Sequence, residues 1–177
     1  MENSFGNCQI PVQYCSMSLL QWLGFKDRGI PLQEGARLPR VQVRDDQEHL
    51  FYLDEVGRVG WTLVYFYPKA DTPGCTAQAC SLRDHFQEFS SLGVKVFGVS
   101  RDRPPALKKF KSKYSLPFLM ISDFDSRLMN LFGVPKWFGF ASRQAFLFKE
   151  GVLIWRDLVG STRTQADEVL RAIRERS

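Results

Sequence analysis

Two cysteines five residues apart, Cys75 and Cys80, stand in surroundings that favour thiol redox chemistry. A β-branched and aromatic run over residues 62–67 is typical of a buried strand, and Pro68 ends it because proline cannot donate to a sheet. The turn signal at residues 72–74 then precedes an apolar-periodic helix. Cys75 is therefore predicted in the first turn of a helix, where unpaired backbone N–H groups and the helix dipole favour a thiolate over a thiol.

The spacing of the two cysteines also limits when they can bond to each other. In a regular helix, with a rise of about 1.5 Å and a turn of about 100° per residue, the Cα atoms of residues i and i+5 lie roughly 8.6 Å apart. A disulfide needs a Cα separation of about 4.4–6.8 Å. A bridge between Cys75 and Cys80 therefore requires the start of the helix to unwind.

The residues around Cys75 resemble the peroxiredoxins, whose fingerprint Pro-x-x-x-Thr-x-x-Cys is filled by Pro68, Thr72 and Cys75. Within that family the chain is most similar to the bacterioferritin comigratory protein, or peroxiredoxin Q, branch, in which a resolving cysteine follows five residues later, as Cys80 does. The similarity extends over residues 31–174. Its further landmarks are Arg83-Asp84, Gly98 to Asp102, Leu116 to Phe118, Ser122-Asp123, Phe132 to Val134 and Arg143 to Leu147.

The resemblance implies a role for each residue of the site. Peroxide would convert Cys75 to a sulfenic acid, and Cys80 would then form an intramolecular disulfide with it. The Thr72 hydroxyl would face the thiolate and the peroxide, although a threonine here is also a common N-cap. Pro68 would shield the thiolate from bulk water. Arg143 would stabilise the thiolate and the leaving oxygen, with an ordinary surface arginine as the alternative.

These roles imply a thiol-specific peroxidase that acts on hydrogen peroxide and organic hydroperoxides and is reduced again by thioredoxin. Sulfur carries the electrons, so no metal, haem or flavin cofactor is expected. Zinc binding by Cys75, Cys80 and His85 is disfavoured because zinc sites usually use Cys-x-x-Cys spacing. Two alternatives stay open: a general disulfide oxidoreductase, which would normally show Cys-x-x-Cys, and a non-enzymatic peroxide sensor or holdase.

Two departures from the family concern the surroundings of the site. Gln78 stands where many relatives have Glu, a difference expected to matter little. The segment over residues 136–142 looks shorter than in the better-known members and lies near the expected substrate entrance. The preferred peroxide is therefore left open.

Composition favours one globular domain: 44% of the 177 residues are hydrophobic, and the net charge is +5. The lysines at 108, 109, 111 and 113 come without a recognition motif, so a solvated helix face is preferred over nucleic-acid binding. No apolar run is long enough to span a membrane. Residues 1–25 lack Lys and Arg, which disfavours a secretory or transit signal. A cytoplasmic protein is expected, and a monomer is the default for this branch.

Strands and helices alternate along the chain, which predicts the α/β fold class. The resemblance implies a thioredoxin-like fold, with a central mixed β-sheet flanked by helices and an N-terminal β-hairpin over residues 37–43 and 49–51, turned at Asp45 and Asp46. Residues 1–30, which contain Cys8 and Cys15, are expected to be an N-terminal extension before a domain over residues 31–177. Further strands are predicted over residues 62–67, 94–99, 118–121, 145–148 and 152–157, and helices over residues 75–89, 104–114, 126–132 and 164–174.

Overall fold

The computed structural model of this chain describes residues 29–176, so the expectations for Cys8, Cys15 and the extension lie almost entirely outside the described residues. The strands are β1 (Gln42–Asp45), β2 (Leu50–Tyr52), β3 (Trp61–Phe66), β4 (Val94–Ser100), β5 (Leu119–Ser122), β6 (Lys136–Trp137), β7 (Phe140–Ala141), β8 (Gln144–Lys149) and β9 (Val152–Asp157). The helices are α1 (Leu53–Gly57), α2 (Pro73–Asp84), α3 (Phe86–Ser91), α4 (Pro104–Lys113), α5 (Arg127–Phe132) and α6 (Gln165–Arg174).

Seven of these strands form one mixed sheet in the order β2-β1-β5-β4-β3-β8-β9, and β6 pairs with β7 separately. The strands β3, β4 and β5 run parallel to one another, whereas β8 is antiparallel to β3 and β1 is antiparallel to β5. All six residues of β3 are buried, as expected for a strand in the middle of a sheet that is covered on both faces. The predicted α/β fold with a central mixed sheet and an N-terminal hairpin, β1 and β2, is confirmed.

Two hydrophobic cores lie on opposite faces of the sheet, because successive side chains of a strand point to opposite sides. Leu63 and Tyr65 of β3 belong to the core that also contains Cys75, and this core packs under α2, α4 and α6. Val64 and Phe66 belong to the other core, which packs under α5. The helix that carries Cys75 is thereby fixed on one face of the central strand.

The single helix predicted over residues 75–89 is wrong, because the structure breaks it into α2 and α3 at His85. In a continuous helix the backbone N–H of His85 would donate to the carbonyl of Ser81. The ring nitrogen Nδ1 of His85 lies 2.9 Å from that oxygen instead. The chain turns there, and Phe86 packs against the core. His85 therefore separates α2 from α3 and belongs to neither helix.

The other differences lie at short elements. The first strand begins at Gln42 instead of residue 37, because Arg37 forms an isolated bridge with Val152. The carboxylate of Asp45 organises the hairpin turn by accepting the backbone N–H groups of Gln47 and His49, each at 2.8 Å. Two short features were not predicted from the sequence. They are α1, which has five residues, and the hairpin of β6 and β7, whose strands have two residues each.

Candidate active site

Cys75 lies just beyond the carboxyl end of β3, in the first turn of α2, and is 2% exposed. Pro73 begins the helix, where proline costs nothing because the first helical N–H groups have no partner within the helix. The first-turn position predicted for Cys75 is thus observed. The sulfur sits where the backbone N–H groups of the helix start and the positive end of its dipole meet.

Hydrogen bonds from neighbouring elements hold the loop that leads from β3 to this helix. The backbone N–H of Ala70 donates to Oδ2 of Asp102 at 2.7 Å. Asp71 accepts from Nζ of Lys113 at 2.8 Å and from the hydroxyl of Tyr114 at 2.7 Å. These two hydrogen bonds lower the pKa of Asp71, so its carboxylate stays ionised and the loop stays anchored to the end of α4.

Thr72 occupies the N-cap position of α2 with extended backbone angles, but its side chain does not cap the helix. Its hydroxyl donates to the carbonyl oxygen of Lys69 at 3.0 Å. Of the two roles considered for Thr72, the N-cap position is therefore observed without a side-chain cap, and the single hydroxyl hydrogen is not directed at the sulfur of Cys75 in this arrangement. Pro68 follows two residues after the end of β3 and is half-buried.

Arg143 reaches Cys75 because of the pairing between β3 and β8. Gln144, the first residue of β8, pairs with Phe66, the last residue of β3, so Arg143 lies at the end of the sheet where the loop to α2 departs. The Nη2 atom of Arg143 is 3.6 Å from Sγ of Cys75. A Cβ atom at Gly160 would lie 2.4 Å from Cγ of Arg143, so glycine leaves room for this side chain.

Two buried amides continue from Arg143 into the protein. Nη1 of Arg143 donates to Oε1 of Gln78, and Nε2 of Gln78 donates to Oε1 of Gln165 at 2.7 Å. Both glutamines have 0% exposure. Gln78, which stands where many relatives have Glu, was expected to matter little. Gln165, which lies 87 residues away along the chain and begins α6, was not predicted from the sequence. No local signal marks Gln165.

Cys80 lies in the same unbroken helix as Cys75 and is half-buried, and both cysteines are free thiols. The helix is regular from Pro73 to Asp84, so the separation of roughly 8.6 Å between residues five apart applies to this pair. The structure is therefore that of the reduced form, in which the two sulfurs are held apart.

Tyr65 lies beneath the site, fully buried, and its hydroxyl has no hydrogen-bond partner among the described residues. Burial raises the pKa of Tyr65 far above its ordinary value, and the nearby side chains of Cys75 and Cys80 add to this effect. Tyr65 therefore stays a neutral phenol near neutral pH.

The short β6–β7 hairpin, which ends two residues before Arg143, carries exposed aromatic side chains. Trp137 is 66% exposed, and Phe138, on the turn, is 88% exposed. Arg101 fixes the turn by donating from Nη1 to the carbonyl of Gly139 at 2.8 Å. This hairpin is the apolar surface that adjoins Arg143 along the chain.

A cavity of about 510 Å³ lies elsewhere, between β1, the end of β5 and the starts of α4 and α5. Its lining includes Val43, Arg44, Arg103, Asp123 and Phe124 but none of the five candidate site residues. Within residues 29–176, no helix is long and apolar enough to cross a membrane, and no cluster of His, Cys, Asp or Glu could hold a metal ion.

Comparison with known proteins finds similarity over most of the described residues. The AhpC/TSA family model matches residues 35–156. A Bcp protein of Coxiella burnetii (strain RSA 493 / Nine Mile phase I) is 34% identical over 134 residues, covering 70% of this chain and 88% of the relative. Peroxiredoxin Bcp of Escherichia coli (strain K12) is 45% identical over 105 residues, covering 59% of this chain and 66% of the relative.

Solved structures with the same architecture include a cysteine variant of Xanthomonas campestris peroxiredoxin Q, with a TM-score of 0.74 and 26% identity over 85% of this chain and 99% of the other. Peroxidoxin BcpB of Mycobacterium tuberculosis has a TM-score of 0.75 and 25% identity over 81% of this chain and 97% of the other. These likenesses confirm the predicted thioredoxin-like fold.

Proposed function

This chain belongs to the AhpC/TSA family and is a peroxiredoxin, and from that premise we propose the cycle by which it reduces hydroperoxides. The thiolate of Cys75 attacks one oxygen of the peroxide, an S–O bond forms, and the O–O bond breaks. The leaving oxygen takes a proton and departs as water or an alcohol, and Cys75 becomes a sulfenic acid. The observation that carries the proposal is the guanidinium of Arg143 at 3.6 Å from the sulfur, at the start of α2.

Arg143 supplies positive charge to both the thiolate and the transition state. A cation beside a thiol favours its ionised form. As the O–O bond breaks, negative charge develops on the leaving oxygen, and a donor that is already in place stabilises it without reorganisation. Gln78, the partner of Nη1, is neutral, so it orients Arg143 without cancelling its charge.

The second step is an attack by the thiol of Cys80 on the sulfenic sulfur of Cys75. An S–S bond forms, the S–O bond breaks, and water leaves. Because both residues lie in α2, the first turns of the helix must unwind before this bond can form. A dithiol protein, proposed to be thioredoxin, then returns two electrons by thiol–disulfide exchange and restores the helix.

Pro68 and Thr72, which both precede α2, complete the proposed site. Pro68 screens the sulfur from bulk water, and its partly buried position beyond β3 supports that role. Thr72 offers its hydroxyl to the bound peroxide, which requires it to rotate away from the carbonyl of Lys69. The exposed aromatic side chains of the β6–β7 hairpin favour organic hydroperoxides as substrates beside hydrogen peroxide.

We further propose that the protein is a cytoplasmic monomer, with a peroxiredoxin domain over residues 31–177 and an extension over residues 1–30. The beginning of the domain is supported by Leu32, which packs against the second core and donates its backbone N–H to the carbonyl of Phe132 at 3.0 Å. Gel filtration and light scattering of the full chain test the monomer.

A coupled assay with thioredoxin, thioredoxin reductase and NADPH tests the proposed function. We expect many equivalents of hydroperoxide to be consumed per protein, with Cys75→Ser as the inactive control. Consumption of about one equivalent, without turnover, would favour a sensor or holdase. Reduction of protein disulfides without peroxide consumption would favour a general disulfide oxidoreductase.

A further inference from the structure

We propose that Gln165 is a positioning residue for the peroxidase reaction, because it sets the orientation of the Gln78 amide and thereby holds Arg143 beside Cys75. Arg143 donates a hydrogen bond to Gln78, and Gln78 donates one to Gln165, while the other terminal nitrogen of Arg143 faces the sulfur of Cys75. The inference rests on the proposed function, since Arg143 is assigned its role there.

The orientation of an amide matters because its two ends are chemically opposite. With its oxygen toward Arg143, the Gln78 amide accepts a hydrogen bond from the guanidinium. If the amide were turned by half a revolution, its NH₂ group would face Arg143, which has donors only. The acceptor Oε1 of Gln165, 2.7 Å from Nε2 of Gln78, selects the first orientation.

The buried side chain of Gln165 lowers the stability of the fold, whereas an apolar side chain at this position would not. Its Nε2 atom is buried without a hydrogen-bond partner among the described residues. An unpaired buried donor opposes folding, and an apolar side chain of similar size would remove it. The presence of a polar side chain here is explained if its other end, Oε1, serves the site.

The backbone around Gln165 is held against the helix that carries both cysteines. The hydroxyl of Ser81 donates to the carbonyl of Arg163 at 3.0 Å, and Nε2 of His85 lies 3.5 Å from the carboxylate of Asp167. The chain is thus held on either side of Gln165, by α2 before it and by His85 after it, so its amide presents a preformed acceptor to Gln78.

The test compares Gln165→Leu with Gln165→Glu. Leucine removes the acceptor, whereas the carboxyl group of glutamate keeps an oxygen for Nε2 of Gln78 in either protonation state. We expect Gln165→Leu to slow the oxidation of Cys75 by hydrogen peroxide about tenfold, because misplacing a catalytic group by a fraction of an ångström is costly. Gln165→Glu should stay within about threefold of the unmodified protein, since the same amide orientation is selected.

A second readout does not depend on peroxidase activity. Alkylation of Cys75 by iodoacetamide near neutral pH reports its thiolate, and Gln165→Leu should slow it while Gln165→Glu should not. If the unmodified protein failed to reduce peroxide, the proposed function would fall, yet this alkylation would still decide the positioning role. Equal alkylation and peroxide rates in folded Gln165→Leu and the unmodified protein would overturn that role.

A double-mutant cycle and a packing control separate positioning from general destabilisation. If Gln165 acts through Gln78, then Gln165→Leu should change the peroxide rate by less than about twofold in a Gln78→Leu background. Val169→Ala, which opens a cavity elsewhere in the buried face of α6, should lower stability without changing the rate. Additive effects in the cycle, or the same rate loss in Val169→Ala, would contradict the proposal.

Discussion

Replacing Arg143 by alanine should slow the reaction of Cys75 with peroxide, and the structure gives the size of the effect. Two unit charges 3.6 Å apart interact by roughly 4.6 kcal/mol at an effective dielectric constant of about 20, and by roughly 1.2 kcal/mol at the bulk-water value of about 80. Arg143 is partly buried, so its contribution lies between these limits. With about 1.4 kcal/mol for each factor of ten, a value of about 2 kcal/mol, in the lower half of this range, corresponds to a loss of roughly thirtyfold.

The assay is stopped-flow mixing of the reduced protein with hydrogen peroxide, with the thiolate followed separately by its absorbance as pH is varied. Arg143→Ala should lower both the rate and the fraction of Cys75 ionised near neutral pH. Arg143→Lys should fall between, because lysine restores the charge but lacks the two terminal nitrogens that contact Gln78 and Cys75 at the same time. Arg58→Ala, at an exposed arginine distant from the site in sequence, is the matched control. An unchanged rate and an unchanged thiolate fraction in Arg143→Ala would refute the assignment.

Four further variants test other parts of the protein. Cys75→Ser should abolish peroxide turnover, whereas the double variant Cys8→Ser and Cys15→Ser should keep most of it in the coupled assay; loss of activity in the double variant would bring the extension into the mechanism. Trp137→Ala should lower kcat/KM for cumene hydroperoxide by about threefold or more relative to hydrogen peroxide, because it removes exposed apolar surface from the hairpin that precedes Arg143 along the chain; an equal change for both substrates would contradict this. Burial raises the pKa of Asp123 to about 6, so from pH 4 to pH 7 the folded state binds the extra proton and its stability falls as pH rises. The unmodified protein should therefore lose roughly 2.4 kcal/mol more than Asp123→Asn over that range in urea unfolding, and identical pH dependences would exclude the effect.

Local signals in the sequence were enough to predict the position of Cys75. A buried strand, a proline and a helix start follow one another within a few residues, and each has its own residue preferences. The contact between Arg143 and Cys75 was expected only through the family resemblance, because it depends on the pairing of β3 with β8, far apart in sequence.

The features that the sequence did not predict depend on side chains that meet across the fold. The sequence around Gln165 does not distinguish it from other helix residues. Its contact with Gln78 depends on the packing of α6 against α2. At the break, the ring nitrogen of His85 lies against the backbone carbonyl of Ser81, a contact that no periodicity in the sequence reveals. The β6–β7 hairpin has two residues in each strand, too few to show an alternating pattern.

The most direct test of the proposed mechanism is mass spectrometry of the full chain after stepwise addition of hydrogen peroxide. We expect one equivalent of hydrogen peroxide to produce an intramolecular disulfide between Cys75 and Cys80, which peptide mapping identifies. We expect Cys80→Ser to accumulate a sulfenic acid at Cys75, which excess peroxide carries on to the sulfinic acid. A bridge from Cys75 to Cys8, to Cys15 or to a second chain would contradict the assignment of Cys80 as the resolving residue.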